Sequence, residues 1–114
     1  MIWALFIDDL REPPRDQEWV VCRSTEEAID QVRLRGMPSV MSLDHDLGDD
    51  DTTMVFLRCL VNELWDGGTP PPDYRVHSAN PVGAQNIISF MASWRRSVSL
   101  NSNSDETNIE ATSV

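Results

Sequence analysis

The side chains best suited to chemistry in this sequence are carboxylates and imidazoles, and they occur in three short clusters. The first two clusters follow apolar runs of the kind that form buried strands, and the third ends a shorter, more polar segment that suits a strand at a sheet edge. The clusters are Asp8 and Asp9, then Asp44, His45 and Asp46, and then His77, Ser78 and Asn80. Both histidines of the chain are among them. Because ligands of open α/β sheets bind outside the carboxyl ends of the strands, we expect these clusters to converge at one edge of a sheet.

A divalent cation would explain three carboxylates at such an edge, since they would otherwise repel one another. Asp8, Asp9 and Asp44 offer only oxygen atoms, which suit Mg²⁺ or Mn²⁺ held by carboxylates and water with positions left for a substrate phosphate. The cluster contains no thiolate, so zinc fits it less well. The sequence therefore predicts a Mg²⁺ or Mn²⁺ site with these three residues as ligands.

Groups that would bind and process a phosphate lie close to this predicted metal site. Asn80 and Gly83 belong to the first turn of a predicted helix, whose free N–H groups form an anion site, and Arg11 follows the acidic pair. Imidazole titrates near neutral pH. His45 and His77 are therefore candidates for the base that activates water and the acid that protonates the leaving oxygen.

Each cluster also has a purely structural interpretation. Asp8 and Asp9 would cap a turn after a strand, the segment 44–46 would form a polar loop before a helix, and a lone histidine is more often structural than catalytic. Taken singly, these interpretations are favoured. The convergence of three carboxylates and two imidazoles on one predicted rim favours a functional site.

The elements that must position these residues alternate between strand and helix, which predicts a parallel sheet with right-handed crossovers. Ser24 and Glu27 fit a capping box at the start of the first helix, and the prolines at 13 and 14 replace the usual first crossover helix by a loop. We expect an α/β fold with a mostly parallel four-stranded sheet in the order 2-1-3-4. The predicted strands are 2–7, 19–22, 40–43 and 74–77, and the predicted helices are 24–36, 54–64 and one that begins at Asn80.

The length of 114 residues suits one domain, which we place at 1–96, followed by a polar segment at 97–114 that we expect to be a mobile tail. The net charge of -10 argues against binding to duplex nucleic acid. The chain has no basic leader and no apolar stretch of membrane-spanning length, so we expect a cytoplasmic protein without a membrane partner. Its acidic surface would also fit a basic site on another protein.

Three ordered motifs resemble the cyclic-phosphate-processing receiver-like domain family, many members of which come from bacteria and their phages. They are LFIDDLREPP at 5–14, SLDHDLG at 42–48 and VHSANPVG at 76–83. The resemblance implies a reduced receiver-like (flavodoxin-like) three-layer fold. In it, Asp8, Asp9 and Asp44 stand where receivers hold the metal and the phospho-acceptor, and Ser78 stands where they use a hydroxyl residue.

The chain departs from receivers at the lysine that follows their last strand, because all nine of its basic residues are arginine. Phosphorelay signalling therefore loses support. Four residues added to the receiver set suggest a hydrolytic or ligand-binding pocket instead: His45, Asp46, His77 and Asn80.

The leading hypothesis is a metal-dependent phosphoesterase that acts on a cyclic phosphate, either a 2',3'-cyclic RNA end or a small cyclic nucleotide. The alternative is a non-catalytic binding module that sequesters a nucleotide or inhibits a host protein through its acidic surface. In the second case a phage-encoded protein would act in the host cytoplasm. A third hypothesis takes Asp44 and Asp46 as a nucleophile and acid pair of haloacid-dehalogenase type, but that signature normally follows the first strand.

Overall fold

Four short strands form the sheet, in a computed structural model that describes the backbone of residues 2–113 and the side chains of residues 2–99. The strands are β1 (Ala4–Ile7), β2 (Val20–Cys22), β3 (Val40–Leu43) and β4 (Asp73–Val76). Their order is β2-β1-β3-β4, and each of the pairings is parallel. This confirms the predicted receiver-like α/β fold class and the predicted strand order.

The helices begin where local sequence signals place them. Ser24 precedes α1 (Thr25–Arg35), and its hydroxyl accepts the N–H of Glu27 at 3.2 Å. Gly36 ends this helix with a φ of 87°, a conformation that favours glycine. The second helix, α2 (Thr53–Cys59), continues into a π-helical turn (Leu60–Leu64) that the sequence did not predict. The third, α3, spans Pro81–Ser113.

One face of the sheet carries the hydrophobic core. Alternate strand residues point to this face, and α1, α2 and α3 all contribute side chains to the same core cluster. Its fully buried members include Leu5, Ile7, Met41, Leu43, Phe56, Leu57, Ile87 and Met91. The three helices therefore pack on one side of the sheet. The three-layer arrangement that the resemblance implied is reduced to one helical layer on the sheet among the described residues, because no helix follows β1.

The loop 8–19 covers the opposite face of the sheet, in place of the missing crossover helix. Phe6 is buried on this face, with the ring of Trp19 at a centroid distance of 6.1 Å. The guanidinium of Arg75 lies 5.2 Å from the centre of the Trp19 ring and pairs with Asp16 at 2.9 Å. The prediction of a loop after β1 is confirmed.

The predicted boundary after residue 96 falls inside a helix, since α3 continues to Ser113. Val98 also packs against the core, so the structure gives no break at that position. The side chains from residue 100 onward lie outside the described residues, and mobility of 97–114 stays a prediction. In the part of the chain that is described, no helix combines the length and the apolar character that crossing a bilayer requires.

Candidate metal centre

Three aspartates meet at the carboxyl edge of the sheet because β1 and β3 are neighbours. Asp8 and Asp9 follow β1, and Asp44 follows β3, with its N–H donated to the carbonyl of Ile7 at 3.0 Å. One carboxylate oxygen from each aspartate lies within 4.8 Å of the other two. Together they line an open cleft of about 360 Å³ with Leu10, Arg11, Asp46, Gly48, Ala79 and Asn80. The three predicted ligands are thus brought together.

Asp8 is held rigidly at the base of this cleft. It is 1% exposed, and its Oδ1 accepts the N–H groups of Leu10 at 2.8 Å and Arg11 at 2.9 Å. Its Oδ2 lies 3.0 Å from Nε2 of His77. Burial by itself raises the pKa of Asp8, but these hydrogen bonds and the His77 ring outweigh it and hold the pKa below its usual value. Asp8 therefore favours the anionic form.

The pKa of Asp44 is shifted in the opposite direction to that of Asp8, and this shift supports a cation in the cleft. Burial, followed by the negative charge of Asp8, raises the pKa of Asp44 above its usual value. A divalent cation would remove that repulsion, and the donors are all oxygen, as Mg²⁺ and Mn²⁺ prefer. The acidic cluster could therefore hold a divalent metal of the kind that receiver domains bind.

The turn after β3 is fixed by backbone and hydroxyl contacts. Thr53 is fully buried, its hydroxyl donates to the carbonyl of Asp44, and its N–H donates to the carbonyl of His45 at 2.9 Å. The carboxylate of Asp51 accepts the N–H of Thr25 at 2.9 Å. The start of α1 therefore lies against this turn.

His45 and Asp46 form a pair beside the metal cleft. Nδ1 of His45 lies 2.9 Å from Oδ1 of Asp46, and Nδ2 of Asn80 donates to Oδ2 of Asp46 at 3.2 Å. The bond from His45, followed by the one from Asn80, holds the pKa of Asp46 below its usual value. Asp46 lines the cleft, whereas the His45 ring is 12% exposed and packs against α3 at Gly83.

Gly83→Ala should destabilise the fold, although the same change in an open helix adds about 0.5–1 kcal/mol of stability. A Cβ at Gly83 would lie 2.4 Å from Cγ of His45, so the ring or the helix must move. We expect a loss of about 1–3 kcal/mol in urea unfolding. Gly68→Ala is the control, because its Cβ would meet nothing nearer than 3.9 Å. Unchanged or increased stability of Gly83→Ala would contradict this packing.

His77 is linked to Asp8 on one side and to the interior of the sheet on the other. While Nε2 faces Asp8, Nδ1 lies 2.9 Å from the hydroxyl of Ser42. The ring also stacks on Phe6, with centroids 4.8 Å apart and planes 6° apart. Both ring nitrogens therefore have partners. We did not identify Ser42 from the sequence, although a polar residue inside an apolar strand was a signal that could have revealed it.

The predicted phosphate-binding residues divide into two groups. Arg11 and Asn80 line the cleft, and one guanidinium N–H of Arg11 donates to the carbonyl of His77 at 3.0 Å. Ser78 and Gly83 are not among the lining residues, and both contact Asn80. Ser78 accepts the N–H of Asn80 at 3.1 Å, and Gly83 donates its N–H to Oδ1 of Asn80 at 3.1 Å. In this geometry Ser78 and Gly83 position Asn80.

Arg23 is a further residue of the site that sequence reasoning missed. Its guanidinium donates to the carbonyl of Asp8 at 3.1 Å and to the carbonyl of Arg11, and it pairs with Glu12 at 3.0 Å. These contacts tie the end of β2 to the loop after β1. Residue pattern alone does not reveal this role, because two of the partners of Arg23 are backbone carbonyl oxygens of another segment.

A family model described as the cyclic-phosphate processing receiver domain matches residues 3–93, a span that includes all three clusters of candidate residues. No curated protein and no solved structure gave a significant match.

Proposed function

The chain belongs to the cyclic-phosphate processing receiver domain family, and from this premise we propose that it is a metal-dependent phosphoesterase that opens a cyclic phosphate. The observation that carries the proposal is the group of three carboxylates, Asp8, Asp9 and Asp44, with ligand atoms within 4.8 Å of one another. Their cleft is open and also bounded by Arg11 and Asn80, so an anionic substrate has room beside a cation.

The substrate class that fits is a small cyclic phosphodiester, either a 2',3'-cyclic RNA end or a cyclic nucleotide. Ring opening consumes one water: its oxygen bonds to phosphorus, one ester P–O bond breaks, and the released ribose oxygen takes a proton. A bound Mg²⁺ or Mn²⁺ would supply neutralisation of the phosphate charge. The guanidinium of Arg11, on the cleft wall, supports binding of the phosphate oxygens from the chain itself.

Proton transfer is assigned to the pair of Asp46 and His45. We assign Asp46 the acceptance of a proton on the substrate side, because its carboxylate lines the cleft. Its other partner, Asn80, holds the carboxylate in place at 3.2 Å. Nδ1 of His45 is engaged by Asp46. Nε2 is therefore the ring nitrogen to which we assign donation of the proton that the released ribose oxygen takes.

The test is ring opening followed by phosphorus NMR. The purified protein is incubated with 2',3'-cyclic nucleotides, 3',5'-cyclic nucleotides and a short RNA with a 2',3'-cyclic end, with Mg²⁺, Mn²⁺ or EDTA. We expect at least one member of the panel to become a phosphomonoester with metal and to remain unchanged with EDTA. Tight retention of a nucleotide without conversion would contradict catalysis and support the binding-module alternative.

Stable phosphorylation of Asp44 should not occur. Receivers use a lysine to neutralise the acyl phosphate, and all nine basic residues of this chain are arginine. After exposure to acetyl phosphate with Mg²⁺, the intact mass should be unchanged by mass spectrometry. An adduct of one phosphoryl group that is absent from Asp44→Ala would contradict this and restore phosphorelay signalling as a candidate.

A further inference from the structure

A series of hydrogen bonds runs from the face of the sheet that the loop 8–19 covers to the metal cleft. It starts at the hydroxyl of Ser42, passes through both ring nitrogens of His77, and ends at Oδ2 of Asp8, with heavy-atom distances of 2.9 Å and 3.0 Å. Ser42 is 3% exposed and Asp8 is 1% exposed. The two ends are therefore shielded from water, and each hydrogen bond of the series is costly to lose.

Further contacts restrict the movement of the His77 ring and of the Asp8 carboxylate. Phe6 fixes the plane of the His77 ring by stacking at 4.8 Å, and the second oxygen of Asp8 already accepts the N–H groups of Leu10 and Arg11. The orientation of the Asp8 carboxylate is consequently determined by its partners before any cation binds. Partners of this kind, one step behind a metal ligand, orient the ligand and set its basicity.

We propose that Ser42 and His77 are positioning residues for the metal ligand Asp8, with Ser42 acting through His77. The hydroxyl of Ser42 donates to Nδ1, which places the ring proton on Nε2, where it is donated to Asp8. This role differs from the acid or base role that the sequence suggested for His77, because both ring nitrogens already have partners. The inference rests on the metal site of the proposed function and does not depend on turnover.

The first measurement is made on the wild-type protein, so it does not depend on a variant that folds. Nitrogen NMR of the imidazole rings distinguishes the two neutral tautomers at a pH where His77 is uncharged. We expect His77 to carry its proton on Nε2, with Nδ1 unprotonated. A proton on Nδ1 in the neutral ring would overturn the proposal, since Ser42 would then accept and Nε2 could not donate to Asp8.

The second measurement is Mn²⁺ affinity, read by electron paramagnetic resonance without substrate. His77→Phe keeps an aromatic ring against Phe6 but loses both hydrogen bonds, and we expect it to bind Mn²⁺ about 10–100-fold more weakly. Ser42→Ala should weaken binding in the same direction, and Ser42→Thr, which keeps the hydroxyl, should restore it. Ser39→Ala is the matched control, because it removes a serine hydrogen bond to Trp3 at the other end of β3.

Wild-type affinity in both Ser42→Ala and His77→Phe would overturn the proposal. Absence of Mn²⁺ binding by the wild type would overturn it together with the metal site. Binding that depends on Ser42 and His77 in a protein that opens no cyclic phosphate would support the positioning role and contradict the proposed activity, so the two failures are distinguishable.

Discussion

Replacing Asp44 by asparagine should abolish the stabilisation that Mg²⁺ or Mn²⁺ gives the wild-type protein, while making the metal-free protein more stable at neutral pH. A cation that binds only the folded state adds about 2.7 kcal/mol at a concentration of about 100 times its Kd. Asparagine removes one of the three carboxylates that support this binding. It also removes a negative charge that burial and Asp8 make unfavourable in the folded protein.

The pH dependence of unfolding shows why metal-free Asp44→Asn should be more stable than the metal-free wild type at neutral pH. The folded protein binds the Asp44 proton more tightly than the unfolded chain, because the pKa of Asp44 is raised from 3.8. The stability that protonated Asp44 contributes is therefore lost as the pH rises from about 3.8 through the raised pKa of this carboxyl. Asp44→Asn lacks this loss, so its advantage should be present at neutral pH and disappear in acid.

The measurement is thermal unfolding with and without metal across this pH range. Asp50→Asn is the matched control, because Asp50 is an exposed aspartate of the same loop outside the cluster. It should keep the full metal response. An Asp44→Asn variant that is stabilised by Mg²⁺ as strongly as the wild type would contradict the assignment of Asp44 as a ligand.

Loss of ring opening without loss of metal binding is the expected result for His45→Ala and Asp46→Asn. Removing a positioned acid or base typically lowers the rate by about 10²–10⁴-fold. His45 and Asp46 are 2.9 Å apart, so the two substitutions disrupt one unit. The double variant should therefore lose little more activity than either single variant.

Phosphorus NMR gives the rates, and Mn²⁺ affinity by electron paramagnetic resonance shows whether the metal site survives. The metal response should persist, because neither residue belongs to the cluster of Asp8, Asp9 and Asp44. If both single variants turned over substrate at the parent rate, the acid–base assignment would be wrong. Metal-assisted attack of water without this pair would then be the remaining mechanism.

The fold and the metal cluster could be predicted because their signals are local in sequence. Each predicted strand agrees with the structure to within two residues at either end. The aspartates that follow β1 and β3 are adjacent in space because the apolar runs before them pair in a parallel sheet. Strand alternation and polar residues at strand ends were sufficient for this part of the site.

The orientations of the side chains in the site could not be predicted, because the contacts that fix them join segments far apart in the sequence. Ser42 and His77 are 35 residues apart, His77 and Asp8 are 69 apart, and Arg23 reaches back to the carbonyl of Asp8. Histidine at a strand end suggested a catalyst, and only the two ring contacts reveal that it has partners on both sides. Such partners depend on side-chain geometry that residue spacing does not encode.

A crystal of the protein grown with Mn²⁺ and a cyclic phosphate that it retains would test the metal site directly, with the metal located by anomalous scattering. The carboxylates of Asp8, Asp9 and Asp44 would hold one divalent cation, which would neutralise the charge of the substrate phosphate. We expect an anomalous peak within ligand distance of all three carboxylates and close to the bound phosphate. Saturating Mn²⁺ with no peak at this cluster would contradict it.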